Sequence, residues 1–318
     1  MERRQFLIGT AATVGAPLVA ETLQSQIVRK AGVPERTYHV LGVPLRSGSL
    51  LPGNENDADA YRGARLLRRL QEVGCNAVDA GDVASPSYLP HHSIPPIRSW
   101  PGPRIVWDCI TERIVPFLRQ PGQVPLMIGC DCSVVIGTVQ AMMRSSLQDV
   151  YVLYVDGDFD DAVPQADHCQ SAASCAVWLL THESPFWEGP PLQPSRVSVI
   201  GWNRGSRSPQ AQLGSVGLVD LRRSGVAEAA RRILQSIPAS APILLHFDID
   251  VLQQQEMPAA YFPHGEGLSL SEAQELMGVF LKDSRIKLIE VSEYAALRDL
   301  DQVYVNRLVD LLSDGLSK

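Results

Sequence analysis

The 318-residue chain has no Gly/Ser-rich linker, no block of like charge, no internal repeat and no long apolar run. Each absence removes a class of architecture. A membrane-crossing helix needs about 20 consecutive apolar residues, and no segment offers them. A solenoid or propeller needs a repeat. Without a seam the chain reads as one large α/β domain rather than two joined ones. Basic charge is scarce as well. The net charge is −7, and the one basic cluster, Arg62, Arg65, Arg68 and Arg69, reads as a solvated helix face, which argues against nucleic acid as a partner. Six cysteines (Cys75, Cys109, Cys130, Cys132, Cys169 and Cys175) follow neither zinc-finger spacing nor the framework of a small disulfide-rich domain. Cys130 and Cys132 form C-x-C, a pattern open to a soft metal, although Cys130 reads as a packing residue.

What the chain does contain is an alternation of strand-like and helix-like segments. Helices are expected over 61–72, 110–119, 134–143, 171–180, 226–237, 271–281 and 303–312. That pattern predicts a three-layer α/β/α fold with a mostly parallel central sheet and helices on both faces. One helix start is explicit. In Ser269-Leu270-Ser271-Glu272 a serine stands where its hydroxyl caps orphan backbone N–H groups. Between residues 86 and 103 proline is too dense for regular structure, so a long surface loop is expected there, with the mouth of a site within its reach. Its His91 and His92 have no third ligand nearby and read as loop residues.

The informative stretches are three strand ends. Val150-Tyr151-Val152-Leu153-Tyr154-Val155 is a β-branched and aromatic run that leads into Asp156-Gly157-Asp158-Phe159-Asp160. Ile243-Leu244-Leu245-His246-Phe247 leads into Asp248-Ile249-Asp250. Carboxylates packed this closely repel one another, so their retention calls for a cation, and hard oxygen donors suit divalent ions. A solvated acidic turn is the alternative for either run alone. Two such runs, each at a parallel-type strand end where open α/β sheets place their ligands, favour a shared metal site. A third strand, Pro125-Leu126-Met127-Ile128, runs into Gly129-Cys130-Asp131-Cys132-Ser133 ahead of an apolar helix.

Taken in order, G-x-D-x-S, then D-x-x-x-D after a strand, then F-D-x-D resemble the motifs of the ureohydrolases: arginase, agmatinase and formimidoylglutamase. Gly42-Val43-Pro44, Arg62 and Gly81-Asp82-Val83 resemble that family's N-terminal unit, the segment from Arg196 to Trp202 its strand ending in Ile-Gly, and Leu288-Ile289-Glu290-Val291 its closing glutamate strand. The resemblance spans roughly residues 37–315. It implies an arginase/deacetylase-like fold and a binuclear site for two divalent metal ions, Mn²⁺ by family habit. Cys132 takes the place of a ligand to the first ion alone, and Asp158 of a ligand to the second alone. Asp156 and Asp248 match the bridging carboxylates. Asp160 matches a first-ion ligand that also accepts a hydrogen bond from the bridging hydroxide, and Asp250 a second-ion ligand. Glu290 matches the acid that grips a small cationic guanidino or amidino substrate, with a salt-bridged strand residue as the alternative. Trimers and hexamers are common among proteins of this kind, so a homo-oligomer is also implied.

The departures carry physical consequences. The family has histidine at the positions of Cys132 and Asp158. A thiolate and five carboxylates against two divalent ions sum to about −2, where four carboxylates and two neutral imidazoles balance. Excess negative charge weakens the ions as Lewis acids and raises the pKa of bound water. Thiolate also moves preference toward Zn²⁺ or Fe²⁺ at the first position. The family's proton-shuttling histidine has no clear counterpart, since His168 reads as a surface residue beside Asp167. The usual D-P after the second D-x-D is Gln253-Gln254, and the usual Asn-Pro after the last glutamate is Ser292-Glu293.

Residues 1–24 read as a targeting segment. Arg3-Arg4-Gln5-Phe6-Leu7 resembles a twin-arginine signature, and a mild Ala/Gly/Thr-rich stretch follows. The expectation is a signal over 1–24, a single ureohydrolase-like domain over 25–318, and export to the periplasm; a cytoplasmic protein with an N-terminal extension is the alternative. Two functions remain in play. One is metal-dependent hydrolysis of a linear guanidine or amidine C–N bond. The other is a ureohydrolase-fold protein that has lost hydrolysis and binds metal or ligand.

Overall fold

The computed structural model describes residues 35–203 and 214–317. The expected export signal and its boundary at residue 25 lie outside the described residues. Seven strands form one sheet: β1 (Thr37–Gly42), β2 (Asn76–Asp82), β3 (Gln123–Ile128), β4 (Tyr151–Val155), β5 (Val197–Ile200), β6 (Ile243–Asp248) and β7 (Ile286–Ser292). Every pairing between them is parallel, in the order β2-β1-β3-β7-β6-β4-β5. This is the expected parallel sheet. Successive strands β3 and β4 are not neighbours, because β7 and β6 return to fill the gap between them. In open α/β sheets such a change of direction marks the crevice where ligands bind.

The pleat divides each strand between two cores. On β6, Leu244 packs with one core, while Ile243, Leu245 and Phe247 pack with the other. Helices α3 (Gly102–Leu118), α4 (Val134–Arg144) and α5 (Ala176–Thr181) supply Trp107, Ile110, Val135 and Leu179 to the core that holds Leu244. The opposite core receives Tyr61 from α1 (Ala58–Gly63), Leu66 and Leu70 from α2 (Leu66–Glu72), and Leu221 from α6 (Leu218–Ser224). Ile233 from α7 (Val226–Ser236), Phe280 from α8 (Leu270–Phe280) and Leu312 from α9 (Val303–Leu316) complete it. The layers are thus α/β/α. Leu245 has no exposed surface, and truncating it to alanine should cost about 2–5 kcal/mol of stability through lost burial and a cavity.

Four local expectations change. The helix expected over 171–180 begins only at Ala176, as α5, after a 3₁₀ turn over Ala173–Cys175, where the Ser171 hydroxyl accepts from Ser174 N–H at 3.1 Å. The single helix over 61–72 is two, α1 and α2, because Arg65 adopts a left-handed backbone at φ 63° and breaks the hydrogen-bond ladder. Helix α3 begins at Gly102 rather than near 110, since Pro103 falls in its first turn, where its missing N–H has no partner to lose. The Pro-rich stretch is not wholly at the surface. Ile97 is fully buried, and the loop is clipped to residues 160–174 by Arg98 N–H donating to Gln170 O (2.8 Å) and Gln170 N–H to Pro96 O (3.0 Å). Helix α8 starts as its sequence requires. Ser269 Oγ accepts from Glu272 N–H at 3.2 Å, and the Glu272 carboxylate accepts in return from Ser269 N–H at 2.8 Å.

Candidate metal centre

Strands β3, β7, β6 and β4 lie side by side in that order, so their carboxyl ends open into one crevice. Two rows of side chains cross them on the face covered by α3, α4 and α5. The lower row is Tyr154, His246 and Glu290, placed abreast by the strand register. The upper row lies two residues further along each strand: Asp156 just past β4, Asp248 at the end of β6, and Ser292 paired with it on β7. A step of two keeps both rows on one face. Cys132 enters from the turn between β3 and α4. That turn is pinned by Asp131, whose carboxylate accepts from Gly48 N–H (2.9 Å), Ser133 N–H (3.0 Å) and the Ser133 hydroxyl (2.5 Å).

The D-x-D spacing has a local cause. Asp156 Oδ1 accepts from the backbone N–H of Asp158 at 2.6 Å, and Asp248 Oδ1 from that of Asp250 at 2.7 Å. Each first aspartate thereby turns the chain and leaves its Oδ2 free for the crevice. Both of these oxygens face Cys132, whose Sγ lies 2.7 Å from Asp248 Oδ2 and 3.8 Å from Asp156 Oδ2. Asp250 Oδ1 accepts from Gly157 N–H at 3.1 Å and ties the two turns together. Asp160, left-handed at φ 47°, accepts from the Tyr154 hydroxyl at 2.6 Å.

Above these groups lies a cavity of about 210 Å³. It is lined by Cys132, Asp156, Asp158, Asp160, Asp248, Asp250 and Glu293, with Ser171, Ser174, Leu50 and Phe262 around them and, among the described residues, no Lys or Arg in its lining. The electrostatic result is one-sided. Burial, then the charges of Asp248 and Asp250, pushes Asp156 well above the carboxylate range. Burial, then Asp250 and Glu293, does the same to Asp248. Asp160 and Glu293 are raised chiefly by burial, and the Cys132 thiol by burial and then by Asp248 and Asp156. Buried acids raised in this way are acids whose protons a divalent cation displaces.

The donor set fits a pair of such ions. The donor atoms of Asp156, Asp248 and Asp250 lie within 4.8 Å of one another, as do those of Cys132, Asp248 and Glu293, of Cys132, Asp156 and His246, and of Asp158, Asp250 and His264. Asp156 and Asp248 each appear both with Cys132 and with Asp250, which is the placement a bridging ligand needs. Mixed carboxylate, thiol and imidazole donors suit Mn²⁺, Zn²⁺ or Fe²⁺ better than the all-oxygen preference of Mg²⁺ or Ca²⁺.

All six expected ligands, Cys132, Asp156, Asp158, Asp160, Asp248 and Asp250, thus line one cavity. Glu290 does not. It is fully buried in the lower row, where its Oε2 lies 2.8 Å from His246 Nδ1. The acid at the cavity is Glu293, held by a left-handed backbone at φ 63°, 2% exposed, with an Oε2 that has no hydrogen-bond partner. Three residues therefore escaped the motifs: Glu293, His246 and His264. His246 had a legible signal, since it stands two residues before Asp248 and must share its face. His264 had none, because it arrives on a loop. His168 is exposed and does not line the cavity.

Comparison with known proteins agrees with this geometry. The model of the arginase family matches residues 36–312. The chain belongs to the arginase family. Among its curated relatives in that family, an arginase of Agrobacterium fabrum is 24% identical over 292 residues, covering 87% of this chain and 90% of the relative. Human arginase-1 is 24% identical over 279 residues, covering 81% and 84%. Among solved structures, arginase from Bacillus cereus superposes with a TM-score of 0.76 at 19% identity, over 89% of this chain and 99% of that one. The formiminoglutamase of Trypanosoma cruzi, solved with Mn²⁺, does so with a TM-score of 0.67 at 19% identity, over 89% and 93%. The three-layer sheet is therefore that of arginase-family hydrolases. Among the described residues, no helix is long and apolar enough to cross a membrane.

Proposed function

We propose that the protein is a two-metal hydrolase that cleaves a C–N bond of a small linear guanidine or amidine. The observation that carries the reading is the cavity itself: five aspartates, a glutamate and a cysteine converge there, with no basic side chain among the described lining residues. Such a field concentrates cations, first metal and then cationic substrate. Its volume of about 210 Å³ is below the roughly 300–1,000 Å³ of sites for drug-sized ligands, which favours a small substrate. Relatives named arginase and formiminoglutamase put guanidino and formimino groups first among candidates.

Cys132, Asp156, Asp158, Asp160, Asp248 and Asp250 would hold the ions. When bound, a pair of divalent ions supplies Lewis acidity and a water of lowered pKa, and so a nucleophile near neutral pH. Glu293, whose Oε2 is unpartnered, accepts two hydrogen bonds from the planar guanidinium and fixes its carbon. Glu290 does not take that part here, because it lies in the row below and does not line the cavity. Tyr154 orients the Asp160 carboxylate, which takes the proton lost by the attacking water and returns it to the departing nitrogen.

The second reading, a metal- or ligand-binding protein without turnover, draws on the close pairing of Cys132 with Asp248 and of Glu290 with His246. One experiment separates the two. Protein reloaded with Mn²⁺, Zn²⁺ or Fe²⁺ is assayed for metal per chain and then for ammonia or urea release from a panel of guanidines. Two ions with turnover support the hydrolase. Two ions without turnover on any member support the binding protein, and fewer than two mean that the substitutions at 132 and 158 have dismantled the pair.

A further inference from the structure

At position 158 the family's imidazole is replaced by a carboxylate, yet the structure does not leave that corner of the site without a nitrogen donor. His264, on the loop between β6 and α8, is 2% exposed, and its Nε2 lies 3.0 Å from Asp250 Oδ2 and 3.5 Å from Asp158 Oδ2. Those are the two residues assigned to the second ion alone. We propose that His264 is a ligand of the second ion and supplies from the loop the imidazole that the strand end has lost. The proposal rests on the two-metal reading above.

Three observations support it. Two donors each about 2.1 Å from one ion, at 90° to 109°, stand roughly 3.0–3.4 Å apart, and both measured separations lie close to that span. The ring's polar partners are those same two carboxylates, since its Nδ1 is buried without a hydrogen-bond partner. Among the described residues, the burial of this imidazole is therefore compensated through the site alone. Finally, the neighbouring chain makes room for it. A Cβ on Gly157 would stand 2.8 Å from His264 Cδ2, so the glycine inside the first D-x-D lets the ring reach the ligand shell. His246 is no candidate for this ion, because its donor atom groups with Cys132 and Asp156 and not with Asp158 and Asp250.

The test uses the full chain, stripped with chelator and titrated with Co²⁺, with bound metal read by mass spectrometry and coordination by visible absorption. Variants are His264→Ala, His264→Gln and Asp158→His combined with His264→Ala. Loss of an outer-shell partner of a ligand weakens metal binding by about 10–100-fold, so loss of a ligand itself should weaken the second ion by at least about that factor. The first ion should be little affected. Glutamine can still donate to Asp250 but is a poor ligand, so it should fail like alanine, and Asp158→His should restore the second ion. If either single variant holds both ions as tightly as the parent, or glutamine alone restores binding, the ring is structural and the proposal is overturned. A parent chain that binds fewer than two ions sinks the two-metal reading and this proposal with it, and that result is visible before any variant is made. Should His264→Ala fail to fold, X-ray absorption of the zinc-loaded parent together with His264→Gln decides: outer-shell imidazole scattering that glutamine abolishes supports ligation, and scattering unchanged by glutamine overturns it.

Discussion

The carboxyl ends of β4 and β6 and those of β3 and β7 face the same cavity, but they are built on different principles. On β4 and β6 one device is used twice. An aspartate ends the strand, accepts the backbone N–H two residues on, and presents its second oxygen to the site. Because the strands are adjacent and in register, two local turns become one pair of convergent carboxylates. The same turn forms after β3, where Asp131 accepts from Ser133 N–H, but its second oxygen accepts from Gly48 N–H instead of facing the site, and β7 has no such turn. Cys132 rides on a turn pinned by Asp131, Glu290 is held by His246, and Glu293 reaches the cavity through a left-handed backbone. The lesson is that carboxylates on β4 and β6 can be aimed by their own local turns, whereas Cys132 and the acid proposed to meet the substrate depend on partners and backbone conformations brought from elsewhere.

The sharpest way to break this comparison is Asp248→Ala. As a bridge, Asp248 serves both ions, so their affinities should fall by about 100-fold or more and dialysed protein should retain neither. A variant that keeps both ions would remove the basis for the bridge. Next in size is the contrast between the two glutamates. Glu293→Gln should lower kcat/KM on a guanidine by about 30- to 1,000-fold, the range for a lost charge partner worth ~2–4 kcal/mol, with metal content unchanged. Glu290→Gln should instead lower stability by about 1–3 kcal/mol in denaturant unfolding, because His246 loses its charged partner, and should alter kcat/KM much less. The reverse ranking would return the substrate-gripping role to Glu290.

A smaller, graded effect is expected from pH. Asp156, Asp160, Asp248 and Glu293 are all raised in the folded protein, so the folded state holds protons that the unfolded chain releases. In metal-free protein the contribution of these four acids to stability should therefore be fully present below the unfolded carboxylate range of about 4 and be lost as pH rises through the raised values. Against it stands the opposite contribution of Glu272, whose pKa is lowered to about 2 by Arg222. Saturating metal should flatten or reverse the slope. Thermal unfolding across pH, with and without metal, checks the sign. Cys132→His should shift preference from Zn²⁺ toward Mn²⁺ in a competition titration, since a neutral imidazole replaces a soft, charged donor. Smallest is Ser269→Ala, which does not line the cavity and should cost about 1 kcal/mol of stability by removing a helix cap while leaving metal binding alone.

Much of the fold was legible because its signals are local. Apolar runs such as 151–155 and 243–247 are short and almost wholly buried, as parallel strands require, and the Ser269 cap marks its helix to within one residue. The break at Arg65 was not legible, since arginine gives no cue for a left-handed backbone. The burial of Ile97 depends on Gln170, far along the chain, so composition alone made that loop look exposed. The aspartates of the site could be read because each motif spans only a few residues. Glu290 was read by analogy of position, and its neighbour across the sheet, His246, changes what that position can do.

By itself the sequence determined the parallel α/β architecture, the strand ends that carry the site and the acidic donors gathered there, because hydrophobic periodicity and D-x-D turns act over a few residues. Only the tertiary structure decided which acid faces the cavity and which is spoken for. It also decided that an imidazole from residue 264 stands beside Asp158 and Asp250. Those outcomes turn on strand order and register, which set donor atoms 3–4 Å apart across gaps of up to 160 residues in the chain, and no local pattern encodes a distance of that kind.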